Sequence, residues 1–403
     1  MSRRGWLWIA FVLVHVWVAY SGFVMRNIPM GDVYLVYEPW ARAAFAGHHI
    51  VGVTEEWVYP QLALVPMMLA LVLEPLAGYE VAWALVVTIA DALAFALLVG
   101  RGRSRGRTVA AWFWLAYILA LGPVGMYRLD GVTVPLALAG VLWLVGRPLL
   151  ASALLSIATW MKVWPAALLA AAVIALRRRA AVIAGALAVS TVVLALILAA
   201  GGGAYAFGFV AGQNARGLQI EAPATTPFMW MAALQAPDSF VFYDREILTF
   251  EVAAPGVDAV AAAMTPLLVL AVLAIAALGA VKAWRGAGFA SLFPPLALSI
   301  VLALIVFNKV GSPQFVTWLI APLALGLVID RRRWMLPALG ALLTALLTQI
   351  VYPIVYDLVI TAVPIAVTVL TVRNLLFVAL FAWALARLAR VPHRVRHPEP
   401  VQG

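Results

Sequence analysis

The chain of 403 residues has no cysteine, which excludes disulfides, thiolate metal sites and a cysteine nucleophile. Charge is scarce: Asp, Glu, Lys and Arg together make up 11% of residues, against about a quarter in soluble domains. No polar block is long enough to form a soluble domain. Disorder and nucleic-acid binding are excluded on the same ground. What the chain has instead is apolar residue, at 66% of the total, more than a water-facing surface hides. In lipid every backbone N–H and C=O must be satisfied internally, and a span takes ~20 apolar residues. The composition therefore predicts an all-α fold, a polytopic transmembrane helical bundle of about twelve spans, in one domain covering residues 1–403.

The few charges are sorted along the chain. Basic clusters fall between apolar runs at Arg3-Arg4, Arg101 to Arg107, Arg147, Arg177 to Arg179, Lys282 and Arg285, Arg331 to Arg333, and Arg387 to Arg396, and hold 19 of the 27 Lys and Arg. Basic loops stay cytoplasmic, so a consistent topology puts all of them on one side. Spans at 6–24, 79–100, 108–124, 132–146, 149–162, 163–176, 180–200, 258–281, 288–306, 314–330, 334–351 and 373–390 satisfy that constraint, with both termini and the tail 391–403 cytoplasmic. The apolar stretch from Pro60 to Ala77 is left over. It carries three prolines and Glu74, and reads as a juxtamembrane or re-entrant helix. Tyr356 to Thr371 reads the same way. The first run, after Arg3-Arg4, lacks a small-x-small cleavage site and reads as an uncleaved anchor.

With this topology 14 of the 17 acids lie outside, as do the two long loops, 25–60 and 201–257. Sites tend to sit on long loops held by a rigid scaffold, so any chemistry is expected on the extracytoplasmic face of a plasma-membrane protein. Asp32, some seven residues past the first span, has two readings. A carboxylate there can serve as a general base toward an acceptor hydroxyl; Gly31-Asp32 before an apolar run is also a fair helix N-cap. Pro39 argues against a long uninterrupted helix beyond it. Trp40, Trp57 and Tyr59 suit either sugar stacking or an interfacial belt. Glu55 and Glu56 read as solvated charges, and adjacent His48 and His49 do not share a helix face as metal ligands would.

Four cations stand against the charge bias at the outer ends of spans: Arg128 in Tyr127-Arg128-Leu129-Asp130, Lys162 before Val163-Trp164-Pro165, Lys309 in a segment reaching Ser312-Pro313-Gln314, and Arg373 beside Asn374. Each alone can be a snorkelling anchor; together they suggest a shared anionic ligand such as a lipid phosphate. The second long loop opens on Gly201-Gly202-Gly203, a flexible joint by default. It continues into a polar cluster from Gln213 to Glu221 that includes Asn214 and Arg216 and is richer than a linker needs.

In order and placement these short motifs resemble glycosyltransferase family 87, within the GT-C superfamily of integral membrane glycosyltransferases, and an actinobacterial, polyprenyl-phosphate-mannose-dependent mannosyltransferase within it. The motifs are Gly31-Asp32-Val33-Tyr34, Val58-Tyr59-Pro60, Tyr127 to Asp130, Lys162-Val163-Trp164-Pro165, Gln213-Asn214 with Arg216 to Glu221 and Thr226-Pro227, Ser312 to Phe315 with Trp318, and Arg373-Asn374. The resemblance covers most of the chain, and no single motif is specific. The family's Tyr-Pro-Pro stands here as Tyr59-Pro60-Gln61. The resemblance implies extracytoplasmic transfer of a sugar, typically mannose, from a polyprenyl-phosphate donor to a glycolipid or lipoglycan acceptor in the bilayer, with Asp32 catalytic.

One inverting displacement needs a base on the acceptor hydroxyl, and a departing phosphate needs its developing charge stabilised. Lys162, Arg128, Lys309 and Arg373 are the candidate clamp, with Asp130 and Gln314 beside them. Trp40, Trp57, Tyr59, Asn214 and Arg216 are candidate sugar or acceptor contacts. There is no Asp-x-Asp motif, so neither metal nor other cofactor is expected. A lipid-linked sugar flippase or secondary transporter is the alternative. Transporters usually carry polar groups at the midplane, where this sequence places only Asp91.

Overall fold

The computed structural model describes residues 2–211, 217–245 and 247–392. It is an all-α, polytopic helical bundle. Among the described residues eight helical segments are long and apolar enough to cross a membrane, the longest running from Pro313 to Ile354. In chain order the helices are α1 (Arg3–Val24), α2 (Glu38–Phe45), α3 (Leu64–Leu73), α4 (Tyr79–Val99), α5 (Arg105–Leu121), α6 (Asp130–Trp143), α7 (Pro148–Met161), α8 (Ala166–Ala175) and α9 (Arg179–Ala199). There follow α10 (Gly208–Ala211), α11 (Thr226–Ala233), a hairpin of β1 (Phe240–Asp244) and β2 (Thr249–Ala253), then α12 (Val257–Trp284), α13 (Phe289–Val306), α14 (Ile320–Gln349), α15 (Tyr356–Ile360) and α16 (Pro364–Ala389).

Three boundaries differ from the sequence reading in ways that matter. The expected spans 132–146, 149–162 and 163–176 are short helices of 14, 14 and 10 residues. At 1.5 Å per residue they rise only about 21, 21 and 15 Å, less than the ~30 Å of a hydrocarbon core. Asp130, Lys162 and Trp164 stand at the ends of these short helices away from Arg147 and Arg177 to Arg179, and Lys162 and Trp164 line a recess there. Second, α14 is two legs joined at Asp330, whose backbone is non-helical (φ −147°, ψ 78°); this is where the sequence placed a loop. Third, the last helix begins at Pro364 rather than at residue 373. Proline is at home in a first turn, where its missing N–H has no helical partner. Arg373 is thereby carried ten residues into the helix instead of heading it.

The stretch after Pro60 is a 16-residue apolar helical segment, Gln61–Leu76, packed on α4. The second long loop is no open linker. Leu218, Ile220, Met229 and Val252 form a core of their own with Val359 and Val367, which docks the hairpin and α11 onto α16. The triglycine is not a free joint either, since a Cβ on Gly202 would stand 2.9 Å from the Cα of Val53.

Candidate functional site

Asp32 does not cap a helix. Its backbone is already helical (φ −59°, ψ −32°), and its side chain makes no capping bond. The π-helical turn Val33–Tyr37 follows, and Pro39 sits in the first turn of α2 just beyond. The path stays helical through residue 45 because the π turn accommodates the missing proline N–H; such single turns recur at functional sites. The carboxylate, freed from capping, meets Arg128: Oδ2 lies 3.2 Å from Nε, and the Asp32 side chain remains 35% exposed.

Arg128 itself is buried, and its other donors are spent on protein. Nη1 donates to the carbonyls of Pro29 (2.8 Å) and Tyr127 (2.9 Å), and Nη2 donates to the Tyr352 hydroxyl (3.2 Å). The Tyr352 hydroxyl in turn donates to the Ile28 carbonyl. The guanidinium thus ties the first long loop to the start of α6 and to the π-helical turn Ile350–Ile354 after α14, and it holds Asp32.

Two residues on, Asp130 is fully buried. Its Oδ2 accepts from Lys162 Nζ at 2.5 Å and its Oδ1 from Trp318 Nε1 at 2.6 Å. Lys162 is on the wall of a cavity of about 450 Å³, with Tyr59, Trp164, Lys309, Gln314 and Trp318. The same cavity has an apolar side, to which Phe209, Val210, Leu268, Leu304 and Phe307 contribute. One cavity therefore offers cations, an amide and hydrocarbon in its lining. That is the pattern an amphiphilic anion requires. Tyr59 is partly buried among these groups. Desolvation raises its hydroxyl pKa, with the Lys162 ammonium pulling it down and Asp32 and Asp130 raising it.

The structure thus brings Asp32, Arg128, Asp130, Lys162, Lys309, Gln314 and Tyr59 to the recessed end of the bundle. It separates others from them. Arg373 is 2% exposed, is not on the cavity wall, and directs its donors inward: to the carbonyls of Glu221 (2.7 Å) and Gly311 (3.4 Å), Asn374 Oδ1 (2.8 Å) and Thr348 Oγ1 (3.3 Å). It clamps the second long loop to the 308–312 segment. There the backbones are so close that a Cβ on Gly311 would lie 2.2 Å from Ala222 N. Trp40 and Trp57 pack edge to face on each other at 5.4 Å and on Tyr59, and Trp57 is buried. They support Tyr59 rather than presenting open faces. Asn214 and Arg216 lie outside the described residues.

Several groups carry the site without having been singled out for a role in the sequence. Trp318 stacks on Trp164 (5.7 Å, 8°) and on Phe315 (4.2 Å, 26°), and Trp164 Nε1 donates to Thr133 Oγ1 at 3.0 Å. Tyr37 accepts from the Leu129 amide. Glu221 is buried, and its Oε2 has no hydrogen-bond partner among the described residues; desolvation pushes its carboxyl up to about 7, with Arg373 pulling the other way. Among the described residues no three metal-ligating side chains cluster. No protein-family model matches this chain, and no curated protein matches it.

Proposed function

We propose that this protein transfers a sugar from a polyprenyl-phosphate donor to a membrane glycolipid or lipoglycan, on the extracytoplasmic face, with inversion. The observation that carries this reading is the pairing of two features at one end of the bundle. One is a half-open carboxylate, Asp32, held by a buried arginine. The other is a cavity with Lys162, Lys309 and Gln314 against an apolar wall.

The apolar wall suits a prenyl chain and the cations suit its phosphate. In the step itself the acceptor oxygen attacks the anomeric carbon, and its proton passes to Asp32. The bond from that carbon to the phosphate oxygen breaks, and the phosphate departs with the electron pair as a monoester. Lys162 and Lys309 stabilise the charge that develops there. Arg128 holds the Asp32 carboxylate in place. The exposed end of the Asp32 side chain leaves room for an acceptor arriving from solvent or from the lipid surface.

A flippase or transporter has one observation in its favour. His15 Nε2 and Asp91 Oδ2 lie 3.0 Å apart, buried between α1 and α4, where ionisable groups often mark transport routes. That pair is not on the wall of the large cavity.

The deciding experiment is sugar transfer by purified protein in detergent, with polyprenyl-phosphate mannose and a panel of glycolipid acceptors. Asp32→Asn should fold normally and lose on the order of 10²–10⁴ in rate. Transfer within a few-fold of the parent would sink the assignment of Asp32. No transfer by the parent to any acceptor, with sugar-lipid moved across proteoliposomes instead, would favour the transporter.

A further inference from the structure

The Asp130–Lys162 ion pair puts its cation on the cavity wall, whereas the Arg128–Asp32 pair does not. A lysine ammonium is a point charge on a flexible four-carbon stem, and something must decide where in a cavity of about 450 Å³ it points. We infer that Asp130 is a positioning residue: it touches no ligand, fixes the Lys162 ammonium against the cavity, and is itself fixed by Trp318. As a statement about ligand recognition this rests on the reading that the cavity receives a lipid phosphate.

The geometry is a closed ring. Asp130 is the first residue of α6 and is 0% exposed, so no ligand reaches it. One oxygen takes Lys162 Nζ and the other takes Trp318 Nε1. The indole of Trp318 is held on two faces, by Trp164 and by Phe315. Trp164 then donates to Thr133, one turn after Asp130 on the same helix. Rotation of the Asp130 carboxylate would break bonds on both of its oxygens at once. Of the three ammonium protons of Lys162, one is spent on Asp130. The rings of Tyr59 and Phe315, centred 5.7 and 5.6 Å from Nζ, bound its position on two further sides. What remains faces the cavity. Because Asp130 offsets the lysine charge, recognition of an anion by this group depends on where its N–H donors point.

Two measurements test the inference, one with ligand and one without. Farnesyl phosphate, a short prenyl phosphate, is titrated into purified protein and into the variants Lys162→Ala, Asp130→Asn and the double variant. Each single change should weaken binding on the order of 10-fold, and the double variant should bind no worse than Lys162→Ala alone. Losses that multiply, on the order of 100-fold together, would show Asp130 acting other than through Lys162 and overturn the inference. The second measurement is the rate of reductive methylation at Lys162, read by mass spectrometry of the ligand-free protein. It should rise several-fold in Asp130→Asn, and also in Trp318→Phe, which keeps the stacked ring and deletes only its N–H. An unchanged rate in both variants overturns the positioning role whatever the cavity binds. Failure of farnesyl phosphate to bind the parent, with the methylation rates responding, would instead remove the lipid-phosphate reading and leave the positioning role standing.

Discussion

Arginine stands at both ends of this bundle, and Arg128 and Arg373 are held differently from the arginines of the basic clusters, although Arg26, Arg42 and Arg245 in the long loops are exposed as well. At the basic end Arg101, Arg103, Arg177, Arg178, Arg332 and Arg333 are exposed. Among the described residues the ion pair there, Arg333 with Asp330, is half in solvent. At the other end Arg128 and Arg373 are 5% and 2% exposed, and apart from the neighbouring Tyr127 carbonyl and Asn374 amide their donor contacts run to a carbonyl, a hydroxyl or an acid of a distant segment. Lys282 and Arg107 depart from this at the basic end: the buried Lys282 ammonium caps the carbonyls of Ala389 and Val391 at the end of α16, and the part-buried Arg107 donates to the Leu97 and Leu98 carbonyls at the end of α4. The difference separates two uses of one residue type. Exposed arginines orient the chain in the membrane by their number. Buried ones hold tertiary structure by their partners, and removing a partner leaves polar groups stranded.

The largest effect this comparison predicts is at Arg373. Arg373→Ala strands the Glu221 and Gly311 carbonyls and leaves the Glu221 carboxyl without its neighbouring cation. The expected loss is on the order of 3–5 kcal/mol of stability, the cost of breaking a buried charge arrangement from one side. A fall in Tm and in monodisperse yield of detergent-solubilised protein would show it. An unchanged Tm with a raised donor KM would instead return Arg373 to the substrate site.

That residue also marks the limit of what the sequence discloses. The fold class follows from composition, and the grouping of Lys162 with Lys309 on one cavity and of Arg128 with Asp130 at the start of α6 follows from which segments carry polar residues. Helix length was legible only where no proline or recess intervened. The short α6, α7 and α8 read as full spans because Arg147 and Arg177 to Arg179 punctuate them like span ends. Tyr356 to Thr371 reads as a separate juxtamembrane or re-entrant helix, whereas one helix starts at Pro364 and runs through Arg373, which therefore does not head a span. Tyr352 lies 224 residues from the Arg128 it bonds. No local pattern joins two such positions, and the partners of Trp164 and Trp318 were hidden for the same reason. Asp32 shows the reverse. Its two sequence readings, cap and base, were equally local, and only the direction of its side chain toward Arg128 discards the cap.

A smaller effect is expected at Glu221 and depends on pH. Its carboxyl titrates at about 7 in the folded protein against an ordinary 4.5, so the folded state binds this proton more tightly than the unfolded state. The stability it contributes is complete below about 4.5 and is lost as pH rises through about 7. Tm should therefore fall more steeply between about pH 5 and pH 8 in the parent than in Glu221→Gln, which stays neutral throughout. Equal slopes would mean that Glu221 is solvated or fully paired with Arg373.

The smallest effect belongs to the exposed end and makes the comparison sharpest. Arg332 is exposed and makes no ion pair among the described residues. Replacing it by Gln removes a charge but strands nothing, so stability should stay within about 0.5 kcal/mol of the parent, the usual range for surface changes. Scanning calorimetry of Arg332→Gln beside Arg373→Ala, in one detergent, measures both on one scale. Similar losses would erase the distinction drawn between the two ends, because a solvated guanidinium has no buried partner to leave behind. A near-silent Arg332→Gln, with its two neighbours intact, leaves orientation to the remaining cations of the cluster. Neutralising Arg331, Arg332 and Arg333 together then asks whether the cluster acts by its summed charge. Stability should again change little, while the proportion of chains inserted in the parent orientation falls, read by labelling a cysteine placed at Ser104 in this otherwise cysteine-free chain with a membrane-impermeant reagent.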